Sequence, residues 1–288
     1  MTTLIVSDSN FVDPQNLIPY LEKDEAITRG VTLGLIDFSN SSSYSGVGAI
    51  AAGSKLNSLT SDATQGSFVT AFDAVANGLL PFSKGVGAAQ VALPATMKFA
   101  AAASKVLYIL WAKIPAGGWN IPASNPVWGL FGVYGNTGTL AQFGVDAAVS
   151  LSDGSLIKID FYVPSSGSAS SGNLTVTAGS LMSSIADGNL HQLALLWDAK
   201  STAGQQTTSL YVDQALVAQS GPRAYDGTFN IPATAPALGY PGTAFQNTTA
   251  PHAGLKLGRP GLWNLSNSQA NPTDIIAADF SAAQGYLS

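Results

Sequence analysis

Cysteine is absent from the 288 residues, which excludes disulfides, thiolate metal sites and a cysteine nucleophile. Charge is scarce as well. Asp, Glu, Lys and Arg together make up 10% of the chain, against roughly a quarter in an ordinary globular protein. Glutamate occurs twice, at Glu22 and Glu25. A helix-rich body wets its exposed faces with Glu, Lys and Arg, so residues 30–288 are not expected to be mostly helical. With 12 Lys and Arg against 17 Asp and Glu, and no basic run to neutralise phosphates, nucleic-acid binding is not expected. No apolar run approaches the roughly 18 residues of a membrane span. The start, Met1-Thr-Thr-Leu-Ile-Val-Ser-Asp8, lacks the basic and long apolar regions of a secretory signal.

Apolar residues are plentiful, at 46%, and 30 Gly and 15 Pro punctuate them. That supplies both a core and many turns. Residues 20–29, which hold both glutamates and follow Pro19, read as a short exposed helix. The composition shifts after this segment, so residues 1–65 are expected to form an N-terminal arm and residues 66–288 the main domain, with residues 30–65 open to either adding strands to the sandwich or lying along a partner. Within the main domain, period-2 patterning dominates. Strands are expected over 105–115, 127–134, 140–149, 156–163, 174–178, 190–197 and 209–217. Asp153-Gly154 marks a hairpin turn, and residues 198–208 a polar loop. Short strands at this spacing, without helices between them, predict an all-β antiparallel sandwich.

Gly188-Asn-Leu-His-Gln-Leu-Ala-Leu-Leu-Trp-Asp198, followed by Ser209-Leu-Tyr-Val-Asp-Gln-Ala-Leu-Val217, resembles the central hairpin of laminin-G-like domains. These belong to the concanavalin A-like jelly rolls. Leu190 stands where that family usually has Trp, and Gln214 where it usually has Gly. Three further pieces fall in the same order: Asn77-Gly-Leu-Leu-Pro-Phe82 with Val91-Ala-Leu-Pro94, Tyr108-Ile-Leu-Trp-Ala-Lys-Ile-Pro115, and Leu255-Lys-Leu-Gly-Arg-Pro-Gly-Leu-Trp-Asn264 with a closing helical turn from Thr273. The resemblance implies a jelly-roll sandwich over residues 66–286. In the residues themselves, both faces of the 190–197 strand are apolar, which calls for cover on two sides. Asp213 is expected to bond the backbone of its own turn.

Chemistry is poorly provided for. The paired glutamates of jelly-roll glucanases cannot be present after residue 25. Asp146, Asp153, Asp160 and Asp187 lie on separate turns and strands, none two residues apart, so the two carboxyls of a glycosidase are not proposed by the sequence. His191 is read as structural and His252 as solvated, and no nucleophile elbow exists. The expected function is therefore not enzymatic. No cofactor is expected. A Ca²⁺ at the sandwich rim is implied only by the laminin-G-like resemblance, with Asp146, Asp153 and Asp187 as candidates.

For carbohydrate, the best candidates are Trp119 and Trp128, with Asn120 and Asn125 in the loop between them. Two readings of these rings stand together: stacking on a sugar, or plugging the sandwich edge or a neighbouring subunit, the plug being the more economical. A charge-poor surface with long Gly, Ser, Thr and Asn loops favours burial in a symmetric assembly. With a jelly roll behind a docking arm, this is similar to phage virion components such as capsid decorations, collars, baseplates and tail fibres. The expected partners are copies of the chain, other virion proteins and host surface glycan, and the expected location is the virion. The alternative is a bacterial cell-surface or secreted lectin-like module.

Overall fold

The structure is a computed structural model that describes residues 24–28, 30–60, 65–82, 90–121, 127–133, 143–163, 173–225, 234–239 and 254–284. Two antiparallel sheets stack face to face as a jelly-roll sandwich. The first runs in the order β1 (Thr32–Leu35), β16 (Lys256–Asn264), β6 (Lys105–Lys113), β11 (Leu190–Asp198), β12 (Gln205–Val212), β13 (Ala215–Gln219), with β4 (Leu80–Pro81) on β16 and β14 (Arg223–Ala224) on β12. The second runs β10 (Leu174–Thr177), β9 (Leu156–Tyr162), β8 (Phe143–Val149), β7 (Val127–Val133), β15 (Ala237–Gly239), β5 (Gln90–Ala92), β3 (Gln65–Phe68), β2 (Lys55–Asn57).

The alternation of side chains decides which face of each strand meets which layer. Val106, Tyr108 and Leu110 of β6, with Leu193, Leu195 and Trp197 of β11, enter the core between the sheets. Leu107, Ile109 and Trp111 of β6, with Ala194 and the half-buried Leu196 of β11, face the other way, onto Ile275, Ile276 and Ala283 of the C-terminal helix. The cover demanded by two apolar faces is thus a sheet on one side and a helix on the other. From the inner face of β6, the Tyr108 hydroxyl reaches across the sandwich. It lies 2.9 Å from the Gly144 carbonyl and 3.1 Å from the Tyr162 carbonyl. Full burial, and secondarily the charge of Asp146, raises its pKa well above the ordinary range.

Among the described residues two helices complete the fold: α1 (Ser180–Ile185), and α2 (Pro272–Gln284) against the outer face of the first sheet. The predicted closing turn is a full helix. Residues 24–28 form a turn, and the rest of the helix expected over 20–29 lies outside the described residues. The domain boundary needs correction. Residues 32–35 pair with β16 and residues 55–57 with β3, so the sandwich begins near residue 32 and not at 66. Strands of three or four residues between glycines and serines are too short to show a period, which is why they read as an arm.

The predicted strand over 209–217 is two strands joined at Asp213-Gln214, with Val212 paired to Ala215. Both turn residues have positive φ, 47° and 72°, as a two-residue hairpin of type I′ requires. A left-handed conformation costs an ordinary L-residue roughly 1–2 kcal/mol, and Gly escapes it. Gln214→Gly is therefore expected to stabilise the protein by about 1 kcal/mol, seen as a higher urea midpoint with an unchanged slope.

Candidate polar groove

On β9 the inward residues Ile159 and Phe161 are buried in the core, which sends Lys158, Asp160 and Tyr162 to the opposite face of the second sheet. On the neighbouring edge strand, Thr175 lies directly opposite Asp160. These four, with Asn173 and with Arg223 from β14, line an open cavity of about 480 Å³. Its walls are polar throughout, and its floor is regular sheet. Lys158, Asp160, Tyr162 and Thr175 stand on the strands β9 and β10, so the ladder hydrogen bonds of the sheet hold the backbone that carries them.

Within the groove the carboxylates are already occupied. Asp160 accepts a hydrogen bond from Thr175 Oγ1 at 2.6 Å through one oxygen and pairs with Lys158 Nζ at 2.6 Å through the other. Asp146 sits opposite Asp160 on β8 and is buried. Tyr162 is hydrogen-bonded to Asp146. Burial foremost, then the negative charges of Asp146 and Asp160, raises the Tyr162 phenol far above its ordinary pKa, so it stays a neutral hydroxyl. Asn173 Oδ1 accepts the Val163 N–H at 3.2 Å, and this fixes the orientation of the amide.

The residues expected from sequence to bind sugar lie elsewhere. Trp119 is 3% exposed and its indole N–H donates to the Pro115 carbonyl at 2.8 Å. Trp128 is 2% exposed and its ring points into the core between the sheets. Neither offers a face to a ligand. Asn120 is exposed beside Trp119, while Asn125 lies outside the described residues. The physical reason is that Trp128 follows the inward phase of β7, and Trp119 folds back under the 153–154 turn, where its backbone N–H donates to the Gly154 carbonyl at 3.1 Å. The groove residues were missed because no single one is distinctive. The readable signal was the polar alternation Lys158-x-Asp160-x-Tyr162 on a strand whose other face is apolar.

The aspartates considered for Ca²⁺ are not drawn together. Asp153 bonds Ser155 within its own turn, Asp187 bonds Asn189 and His191, and Asp146 is hydrogen-bonded to Tyr162. Among the described residues no three His, Asp or Glu side chains form a group able to hold a metal, and no helix is long and apolar enough to cross a membrane.

Asp213 does not bond its own turn as expected. It reaches back to β11, accepting the Gln192 N–H at 2.9 Å and lying 2.6 Å from His191 Nδ1, while Asp187 lies 3.1 Å from Nε2. Burial opposes the imidazolium, but the hydrogen bonds to Asp213 and Asp187 outweigh it and raise the His191 pKa. The native state then holds this proton more tightly than the unfolded chain. The contribution is complete below the unfolded pKa and is lost as pH rises through the folded one. His191→Asn is expected to destabilise by up to about 1 kcal/mol at pH 5.5, and by less at pH 8.5. Paired urea titrations of both proteins measure the difference.

No family model matches this sequence, and comparison with curated proteins gives no match. Solved structures share its fold. Trypanosoma rangeli sialidase in complex with 2,3-difluorosialic acid, a covalent intermediate, superposes with a TM-score of 0.51 at 16% identity, over 91% of this chain and 34% of that one. The same enzyme in complex with sialic acid gives 0.49 at 16% identity over the same shares. The binding domain of botulinum neurotoxin serotype D/C gives 0.45 at 9% identity, over 88% of this chain and 52% of that one. The chain spans about a third of the sialidase it resembles, and at such identity the likeness is one of fold.

Proposed function

We propose that the chain is a non-enzymatic binding module whose groove between β9, β10 and β14 takes a glycan, and that it serves as a structural component of a phage virion. The observation that carries the binding half is the groove itself: six polar side chains, four of them on the paired strands β9 and β10, with hydroxyl, amide, carboxylate, ammonium and guanidinium groups lining one cavity. Sugar hydroxyls need such a mixed set of donors and acceptors. Asp160 is held between a lysine and a threonine and Asp146 against a tyrosine, an arrangement that fixes ligands better than it moves protons. The Trypanosoma rangeli sialidase that shares this fold is known in complex with 2,3-difluorosialic acid, which agrees with the proposal without carrying it.

The virion half is supported by the low charge, by the laminin-G-like hairpin motif, and by apolar side chains left at the surface, such as Val47 at 95% exposed and Leu216 at 53%. Two measurements test the whole. The recombinant chain on an immobilised glycan array is expected to retain saccharide without releasing any shortened product; retention of none, or turnover, overturns the binding half. The same chain is expected to run as an oligomer on size exclusion and to appear by mass spectrometry in purified phage particles. A monomer never found in particles overturns the virion half.

A further inference from the structure

We propose that the groove selects an acidic saccharide, recognising a ligand carboxylate through Arg223, Lys158 and the amide N–H₂ of Asn173; this rests on the glycan-binding reading above and narrows it. The inference follows from which hydrogen-bonding positions the protein has used up. Both oxygens of Asp160 are engaged from within, by Thr175 and by Lys158. The Tyr162 hydroxyl is bonded to Asp146, which is buried and is not among the residues lining the groove. The Asn173 carbonyl oxygen is taken by the Val163 N–H, and an amide so oriented presents its two N–H donors on the other side.

The remaining capacity is donor-rich. Lys158 Nζ keeps two N–H groups beyond the one given to Asp160, Asn173 keeps two, and the guanidinium of Arg223 carries five. Arg223 is exposed, and among the described residues no carboxylate pairs with it. A guanidinium is a planar fork matched to carboxylate geometry. It stands at the rim of a cavity whose lining carboxylate, Asp160, is already paired with Lys158, and that asymmetry favours an acceptor-rich anion over a neutral sugar. Thr175 and Tyr162 retain oxygen lone pairs that suit the hydroxyls of the same ring.

The test uses the full chain and matched ligands: uronic- and nonulosonic-acid oligosaccharides, each beside its methyl ester, with dextran sulfate as a second anion. The expected result is that a free acid binds at least ten-fold more tightly than its ester and that added salt weakens it. Two variants locate the site. Arg223→Gln removes the fork at an exposed position, and Asn173→Asp keeps the acceptor for Val163 while replacing both outward donors by negative charge. Each is expected to lose ten-fold or more in affinity with an unchanged melting temperature. Equal affinity for acid and ester, preference for dextran sulfate, or affinity unmoved in both variants overturns this proposal and leaves glycan binding standing. Retention of no saccharide of any kind removes the underlying reading as well.

Discussion

Replacing Arg259 by Met is expected to destabilise the protein by about 3–5 kcal/mol, lowering the melting temperature by roughly 10 °C in a domain of this size. The reason lies in β16, where the ladder slips between Gly258 and Gly261 and Arg259 adopts φ 45°. This bulge turns the side chain out of the ladder and into a fully buried site. There Nε donates to Asp279 at 2.6 Å, Nη1 to Asp37 at 2.6 Å, and Nη2 to Asp24. Asp279 also accepts from the Trp111 indole at 2.9 Å and from Gln192 at 2.8 Å. One guanidinium thus ties the turn before β1, the end of β1, the bulge of β16 and helix α2 into one knot, with β6 and β11 joined through Asp279. Without it, three carboxylates remain in low dielectric without the guanidinium they share.

The pH dependence has a definite sign. Burial holds the Asp279 carboxyl above its ordinary range, with Arg259 pulling the other way. The native state therefore keeps this proton to higher pH than the unfolded chain, and the group's contribution falls as pH rises across that window. Removing Arg259 removes the opposing pull. The loss in Arg259→Met is expected to be smaller at pH 4.5 than at pH 7.5, as read by urea denaturation. Adding Asp279→Leu to the variant is expected to recover part of the loss, since a buried charge without its partner is worse than none. A loss independent of pH would show that the cluster acts through packing alone.

The second large effect is expected at Phe143. Its ring is fully buried, with centroids 5.2 Å from Phe131 and 5.3 Å from both Phe99 and Tyr108. Phe143 and Phe131 come from the second sheet and Tyr108 from the first, so the cluster is where the two sheets lock together. Phe143→Ala is expected to cost about 3–5 kcal/mol through lost transfer energy and an unfilled cavity, and Phe143→Leu well under half of that. Calorimetry on the three proteins checks the order. Glycan affinity measured well below the melting transition is expected to change little in either variant, because Phe143 lies on the core side of β8 and the groove on the other. A parallel loss of affinity would mean that the groove is not held by its own strands.

The sandwich was legible because its central strands are long and apolar, β6 and β11 on both faces and β9 on the core face alone. Strands β6, β9 and β11 were predicted at 105–115, 156–163 and 190–197 and observed at Lys105–Lys113, Leu156–Tyr162 and Leu190–Asp198. The edges were not. β1 and β2 are too short to carry a period, and their pairing with β16 and β3 depends on residues more than two hundred and about ten positions away, respectively. The turn at Asp213 was legible, but its two-residue left-handed form was not, because the family-typical glycine is missing while the backbone keeps its positive φ. At the site, aromatic residues beside polar loops drew the reading to Trp119 and Trp128, whose burial follows from strand phase and a local fold-back. The pairing of Asp146 with Asp160 crosses a hairpin, so a search for carboxylates two residues apart along one strand passes over it. Arg223 enters the groove from a strand of the other sheet, and no sequence period connects it to Lys158.

The most direct measurement is a nuclear magnetic resonance titration of the ¹⁵N-labelled chain with an acidic oligosaccharide, followed over days. Shifts concentrated at Lys158, Tyr162, Asn173, Thr175 and Arg223, with the sugar recovered intact, are the predicted result. Shifts confined to other surfaces, or the steady appearance of shorter sugars, would contradict it.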